Sequence, residues 1–294
     1  MASSIKEFAQ SKLPLSFILE ATNNFSNKNI IGKGEFGNVY KMQIDTDVDT
    51  KCSARRFNRK GRLRDDAFLT EISVLSRLQG NINVVCMFGF CEEEGEKIIV
   101  YEHYKKGSLE YYISKPTRLK WPERLRIANN LASAIAWIHD TRGRSYYVIH
   151  RNINSYTILL NDSWTPALSG FEYCIEGPVS RSNQVFRCKA IGTKGYMDPA
   201  IEKNDGRKAN PENGLLAPLA KLNFEKGTLQ NIIHPKLLNQ MGPRSLKLFS
   251  EAAYSCLEDD PERRPDPLNL LNQLKLAETV NELQSLVNSL VILD

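Results

Sequence analysis

No apolar run in this 294-residue chain approaches the roughly 20 residues needed to span a bilayer. The longest near-continuous one, Val84 to Cys91, is eight residues long and includes Gly89. Met1 to Gln10 lacks an apolar core of signal-peptide length, so secretion is not expected. The six cysteines (52, 86, 91, 174, 188 and 256) have none of the paired spacing of a metal site. Cys86 and Cys91 fall in the apolar run and are expected as buried thiols. Strong charge of one sign is missing as well: the net charge of +5 is too mild to require nucleic acid. No internal repeat is visible. What remains is an ordinary globular composition, 41% hydrophobic and 25% charged, enough for one large or two-lobed domain. It fits a soluble protein of a reducing compartment.

The chain changes texture twice. Residues 1–29 form a polar lead-in with one helical piece, Ser16 to Ala21, where Phe17, Ile18 and Ala21 share a face. Short runs rich in Val, Ile, Phe and Tyr then predict strands at Ile30–Gly32, Gly37–Gln43, Cys52–Phe57, Val84–Phe90 and Lys97–Glu102. Between them, Asp65 to Leu78 places Phe68, Glu71, Leu75 and Leu78 on one helical stripe. A carboxylate in an apolar stripe requires a cationic partner, because an unpaired buried charge is costly. After Gly107 the pattern turns helical. Pro122 stands near a helix start, followed by Ile127, Leu131, Ile135 and Ile138. Val148–Ile149 and Ile158–Leu160 are strand-like runs around a polar loop, and 202–213 reads as an exposed loop. Helical patterns resume at Leu215–Leu222, Ser245–Leu257 and Leu268–Leu290.

Gly32, Gly34 and Gly37, with Val39 two residues on, lie between two predicted strands. A dinucleotide-binding version of that pattern needs a helix next, and here a strand follows. An ordinary glycine-rich hairpin and a loop covering nucleotide phosphates remain open on this motif alone. Further motifs follow in order: FILEATNNFSNKNIIGKGEFGNVYK (17–41), FLTEISVLSRL (68–78), KIIVYEHYKKGSL (97–109), VIHRNINSYTILL (148–160), GTKGYMDP (192–199) and ERRPD (262–266). With them the chain resembles the plant receptor-like protein kinases from about Leu15 to Leu276.

That resemblance implies a two-lobed fold and exposes departures from the family pattern. The family's phosphate-gripping lysine falls on Arg55, a larger planar cation, and its helix partner on Glu71, so an Arg55–Glu71 pair is expected. Asn152 stands in place of the catalytic aspartate, and an amide cannot accept a proton as a carboxylate does. Asn154 replaces a lysine, Thr157 the metal-binding asparagine, and Gly170 the metal-binding aspartate. Glu172 is expected to face elsewhere. Phosphoryl transfer needs a positioned nucleotide, metal ions and an orienting carboxylate, so these losses together predict an inactive enzyme with no magnesium site. By resemblance, Val39 and Leu159 would sandwich adenine, Ser53 replaces a small alanine, Tyr101 is the gatekeeper, and Glu102 to Tyr104 form the hinge. Weak, metal-independent ATP binding and a pocket closed by side chains both remain open.

The second lobe has lost parts too. The family's A-P-E triplet reads Asp198-Pro199-Ala200, leaving Arg264 to face solvent or find a new partner. A segment on the order of 30 residues, including a central helix, is missing after 202–213, which would uncover apolar faces near Leu131, Ile135 and Leu159. Seven Lys or Arg in 51–64 read as a solvated basic run. Ser180, Ser182 and Thr193, near Arg181, Arg187 and Lys189, are candidate phosphorylation sites. The tail helix carries Leu271, Leu274, Val280, Leu283 and Val287 on one face. Its first half resembles the family's last helix. For its second half packing on the core is expected, with packing on a partner helix or the exposed lobe as the alternative.

The expected fold class is therefore α+β, protein-kinase-like and two-lobed. The lead-in is 1–25, the small lobe 26–105, the large lobe 106–277 and the helical tail 278–294. The resemblance implies a pseudokinase, a binding or scaffold module that engages other protein kinases or receptor-complex proteins, with no nucleic acid. The expected location is cytoplasmic, or peripheral at the plasma membrane through partners, with no transmembrane segment. A residual serine/threonine kinase and an unstable truncated product are the alternatives.

Overall fold

The computed structural model describes residues 11–44, 51–58, 62–181, 191–198 and 216–291. Its first part is a six-stranded sheet built from β1 (Ser11–Lys12), β2 (Ile30–Gly34), β3 (Gly37–Lys41), β4 (Cys52–Phe57), β5 (Met87–Cys91) and β6 (Ile98–Glu102). The strand order is β1-β5-β6-β4-β3-β2. Every neighbouring pair is antiparallel except β1 with β5. Helix α1 (Leu15–Ala21) buries Leu15, Ile18 and Ala21, three residues apart, in the core on one side of the sheet. The Thr22 hydroxyl closes that helix by donating to the Ile18 carbonyl at 2.6 Å. Residues 11–25, expected as a polar lead-in, thus supply an edge strand and part of the core.

Helix α2 (Arg62–Arg77) covers the other side, burying Phe68, Val74 and Leu75 with Phe57 and Ile99. Each such side chain, fully removed from water, contributes about 1.5–3 kcal/mol. The two-residue period of β4 sends Arg55 and Arg56 to opposite faces. Arg56 donates to both oxygens of buried Glu96, at 2.8 and 2.7 Å, and stacks on Phe25 at 4.3 Å. The basic run 51–64 is therefore not simply a solvated patch, since both strand arginines are spent on internal carboxylates; residues 59–61 lie outside the described residues.

The strand expected from Val84 starts at Met87. Val84 instead bridges to Leu168, and the Val85 amide donates to the Leu168 carbonyl at 3.0 Å. This joins the first sheet to a second one made by β7 (Gly107–Ser108), β9 (Ile158–Leu160) and β10 (Pro166–Leu168), while β8 (Tyr146–Ile149) pairs with β11 (Ile175–Pro178). Of the two cysteines expected inside, Cys91 is buried and Cys86 is exposed.

The helical part comprises α3 (Glu110–Ile113), α4 (Trp121–His139), α5 (Leu216–Glu225), α6 (Pro235–Leu238), α7 (Pro243–Ser255) and α8 (Pro267–Val291). Helix α4 opens with Pro122 in its first turn, where a missing amide is harmless. Leu271 and Leu274 of α8 pack with Ala132 of α4 and Ala252 of α7, as expected for the tail's first half. Leu283 further along is exposed. Between α4 and α5–α7 lies a largely apolar cavity of about 600 Å³, lined by Ile127, Leu131, Phe224, Ile232 and Phe249 among others. Leu131 lines this cavity, whereas Leu159 belongs to a different wall described below. The loop 202–213 lies outside the described residues, as do Pro199 and Ala200. Arg264 finds a new partner: its Nη1 reaches Asp198 Oδ2 at 2.6 Å. No helix among the described residues is long and apolar enough to cross a membrane.

Candidate functional site

The two parts meet at a cleft of about 330 Å³. The turn between β2 and β3 supplies Gly32, Gly34 and Gly37, β3 supplies Val39, and β4 supplies Ser53 and Arg55. Tyr101, Glu102 and Tyr104 line the back, and Thr157 and Leu159 the floor, with Asn152, Gly170 and Glu172 at the inner end. Glu71 reaches in from α2. Of the residues matched from sequence to nucleotide-binding and catalytic positions, all border this cleft except Asn154. Gly37 has φ +145°, and a Cβ there would stand 2.0 Å from the Arg56 carbonyl oxygen, so only glycine lets β3 and β4 approach this closely.

The expected Arg55–Glu71 pair is present, Nη1 to Oε2 at 3.1 Å, with the Glu71 side chain fully buried. The same Nη1 also donates to Glu172. Glu172, expected to face elsewhere, turns into the cleft because Gly170 adopts a left-handed conformation (φ +84°) and Phe171–Tyr173 follow as a single tight turn. Phe171, fully buried, pins that turn, and the carboxylate two residues past Gly170 swings back onto Arg55. Burial alone would lower the Arg55 pKa, but the charges and hydrogen bonds of its partners, Glu71 foremost, outweigh it and raise the value.

The inner loop is closed by its own amides and hydroxyls. Asn152 Oδ1 accepts from Asn154 Nδ2 at 3.0 Å and from the Thr193 hydroxyl at 2.9 Å. Asn154 Oδ1 accepts from the amides of Tyr156 and Thr157 at 2.8 and 3.2 Å. The Thr157 hydroxyl lies within 3.1 Å of the Asn152 and Asn154 carbonyls. Thr193, read from sequence as a phosphorylation candidate, is thus a member of this network; Ser182, Arg187 and Lys189 lie outside the described residues. A carboxylate at position 170 would also lack space, because a Cβ there falls 2.5 Å from Thr157 Cγ2. Amide and hydroxyl oxygens already engaged in this way do not make a site for a divalent cation, which favours carboxylates. Among the described residues no group of three or more His, Cys, Asp or Glu side chains converges as a metal site.

His150 holds the loop from below and was not singled out for its own role. Its Nε2 donates to the Ser169 carbonyl at 3.0 Å, so Nδ1 is the acceptor for the Asn152 amide at 3.2 Å. Its ring meets Phe171 edge-on at 4.6 Å. Burial, partly opposed by the Ser169 hydrogen bond, pushes its pKa from 6.5 down to about 4. The unfolded chain therefore binds a proton between those values that the native state refuses. Stability is fully present above about pH 6.5 and falls as the pH drops toward 4, by up to about 3 kcal/mol. Urea denaturation at about pH 7.5 and about pH 4.5 tests this, with His150→Gln losing the His150 share of the pH slope. An equal slope in the variant would show that His150 is not the group responsible.

The geometry is matched by sequence relationships. The protein tyrosine and serine/threonine kinase family matches residues 25–182, which take in the glycine turn, the Arg55–Glu71 pair and the 150–172 segment. Among curated relatives from Arabidopsis thaliana, the receptor-like protein kinase ANXUR2 is 33% identical over 298 residues, covering 92% of this chain and 34% of that protein. ANXUR1 is 32% identical, covering 92% and 34%. FERONIA is 31% identical over 292 residues, covering 90% and 32%. The chain spans about a third of the length of the curated relatives it matches. By fold, cleft and sequence alike, the chain belongs to the protein tyrosine and serine/threonine kinase family, in its plant receptor-like group.

Proposed function

We propose that this chain is a kinase-fold module that transfers no phosphate and works by binding other proteins, receptor-complex kinases foremost. The observation that carries this is the inner end of the cleft. Asn152, Thr157 and Gly170 offer no carboxylate to a nucleophile or a metal, and their polar atoms are spent on one another. The location this reading implies is the cytoplasm, or the inner face of the plasma membrane through partners. Val39, Ser53, Tyr101 and Leu159 line a cleft of about 330 Å³, so weak binding of ATP without metal is the most this cleft supports.

Phosphoryl transfer rests on positioning plus charge neutralisation by metal and cation. With base and metal ligands gone, the expected rate is at least about three decades below that of an intact kinase. Incubation with γ-labelled ATP, a generic protein substrate and Mg²⁺ or Mn²⁺ should give label at background. Incorporation that depends on the intact chain would overturn the reading.

One observation favours a residual serine/threonine kinase instead: Glu172 Oε2 lies 3.5 Å from where a Cβ on Gly170 would stand. A carboxylate therefore lies near the position the missing one would occupy, although it is held by Arg55. Metal-dependent labelling abolished by Glu172→Ala would support that reading. The third possibility is an unstable truncated product, which a cooperative melt of the isolated chain would rule out.

A further inference from the structure

The cleft has an apolar outer slot and an anionic inner end. Among the described residues two cations line it, Lys33 and Arg55, against four carboxylates, those of Glu35, Glu71, Glu102 and Glu172. Arg55 is the cation at the inner end, and both Glu71 and Glu172 already hold it. Its charge is more than offset where a phosphate chain would need it. Glu35 is also held near the mouth. The Tyr173 hydroxyl donates to Glu35 Oε2 at 2.8 Å, and Phe36 meets the Tyr173 ring at 5.1 Å. The tip of the glycine turn is thereby tied across the cleft to the segment that carries Glu172. The outer slot is largely apolar: Gly32, Val39, Val85 and Leu159 form its walls, with Ser53, Tyr101 and the exposed Glu102 beside them. A cleft of about 330 Å³ lies within the size range of small-ligand sites.

We propose that this cleft takes an uncharged, phosphate-free aromatic heterocycle of nucleoside size and rejects the corresponding triphosphate. The inference rests on the reading that the cleft performs no phosphoryl transfer, and it specifies what the cleft accepts instead. Glu172 is the selecting residue. Its carboxylate sits beside Arg55 in a partly desolvated site, where repulsion of an anion is stronger than in water. A neutral ring need not approach it.

Titration calorimetry and thermal shift with adenosine, ADP and ATP, with and without Mg²⁺, test the proposal on the intact chain. Adenosine should bind at least about tenfold more tightly than ATP, and the gap should narrow at high salt as exposed charges are screened. Mg²⁺ should not restore ATP binding. Glu172→Gln should raise ATP affinity at least about tenfold while leaving adenosine within about twofold. Val39→Phe, which fills the slot, should abolish adenosine binding. ATP binding as tight as adenosine, or no adenosine binding up to the millimolar range, would overturn the proposal. The order of affinities in the unmodified chain decides this even if Glu172→Gln fails to fold. The two readings fail separately: label transfer from ATP sinks the functional reading, while tighter ATP binding without transfer sinks only this one.

Discussion

Arg55→Met should destabilise the chain by roughly 3 kcal/mol, seen as a drop of about 6–12 °C in Tm. The guanidinium pairs with two carboxylates at once, Glu71 with no exposed side-chain surface and Glu172 with 5%. Removing it leaves two like charges buried together, which costs far more than a surface pair. The Arg55 side chain keeps 19% exposure, which sets the expectation at the low end of the range for buried pairs. Glu71→Gln should cost less, because Arg55 retains Glu172. A variant with methionine at all three positions should recover most of the loss, since an apolar replacement strands no charge. Circular-dichroism melts of the four proteins decide the matter. If Arg55→Met alone stays within about 1 kcal/mol of the parent, the three residues are not the structural unit described here.

Trp121→Ala should cost about 3–5 kcal/mol and break the cooperativity of the helical part. The indole is 2% exposed at the start of α4 and meets Phe249 of α7 edge-on at 5.0 Å. Its Nε1 donates to the Ser245 hydroxyl at 3.2 Å, and that hydroxyl donates to the Ala277 carbonyl of α8 at 2.9 Å. One side chain therefore joins three helices beside the apolar cavity. Trp121→Phe keeps the ring contact and loses the hydrogen bond, so about 1 kcal/mol is expected. Urea unfolding followed by far-ultraviolet circular dichroism separates the two variants. Equal losses would mean that the hydrogen bond, not the ring, holds the helices.

Much of the fold could be read from residue order because its signals are local. The strands Cys52–Phe57 and Ile158–Leu160 begin and end on apolar residues, as expected from the sequence. The stripe of Phe68, Glu71 and Leu75 located both α2 and the need for a cation, which Arg55 meets. Three features depend on distant partners and left no local signal. Strand β1 is two polar residues whose structure exists only by pairing with β5. The bridge from Val84 to Leu168 shortened an expected strand because a partner 84 residues away competes for its backbone. The direction of Glu172 depends on the left-handed turn at Gly170, and that turn depends on Thr157 and Phe171 packing around it. Arg264 shows the converse. Its charge could be flagged from sequence, but Asp198 as its partner emerged only from the fold.

The short parallel strand at the start of the described chain has a protective effect. Ser11 and Lys12 lie against Gly89 and Phe90, and the Leu13 amide donates to the Phe90 carbonyl at 2.8 Å. Without them, the outer rim of the sheet would be Met87–Cys91, whose hydrogen-bonding groups would be open along an apolar strand. Such a rim is a template on which another chain can add, the first step toward aggregation. Two polar residues therefore act as a guard rail, and a fragment trimmed to start at the glycine turn would lose it.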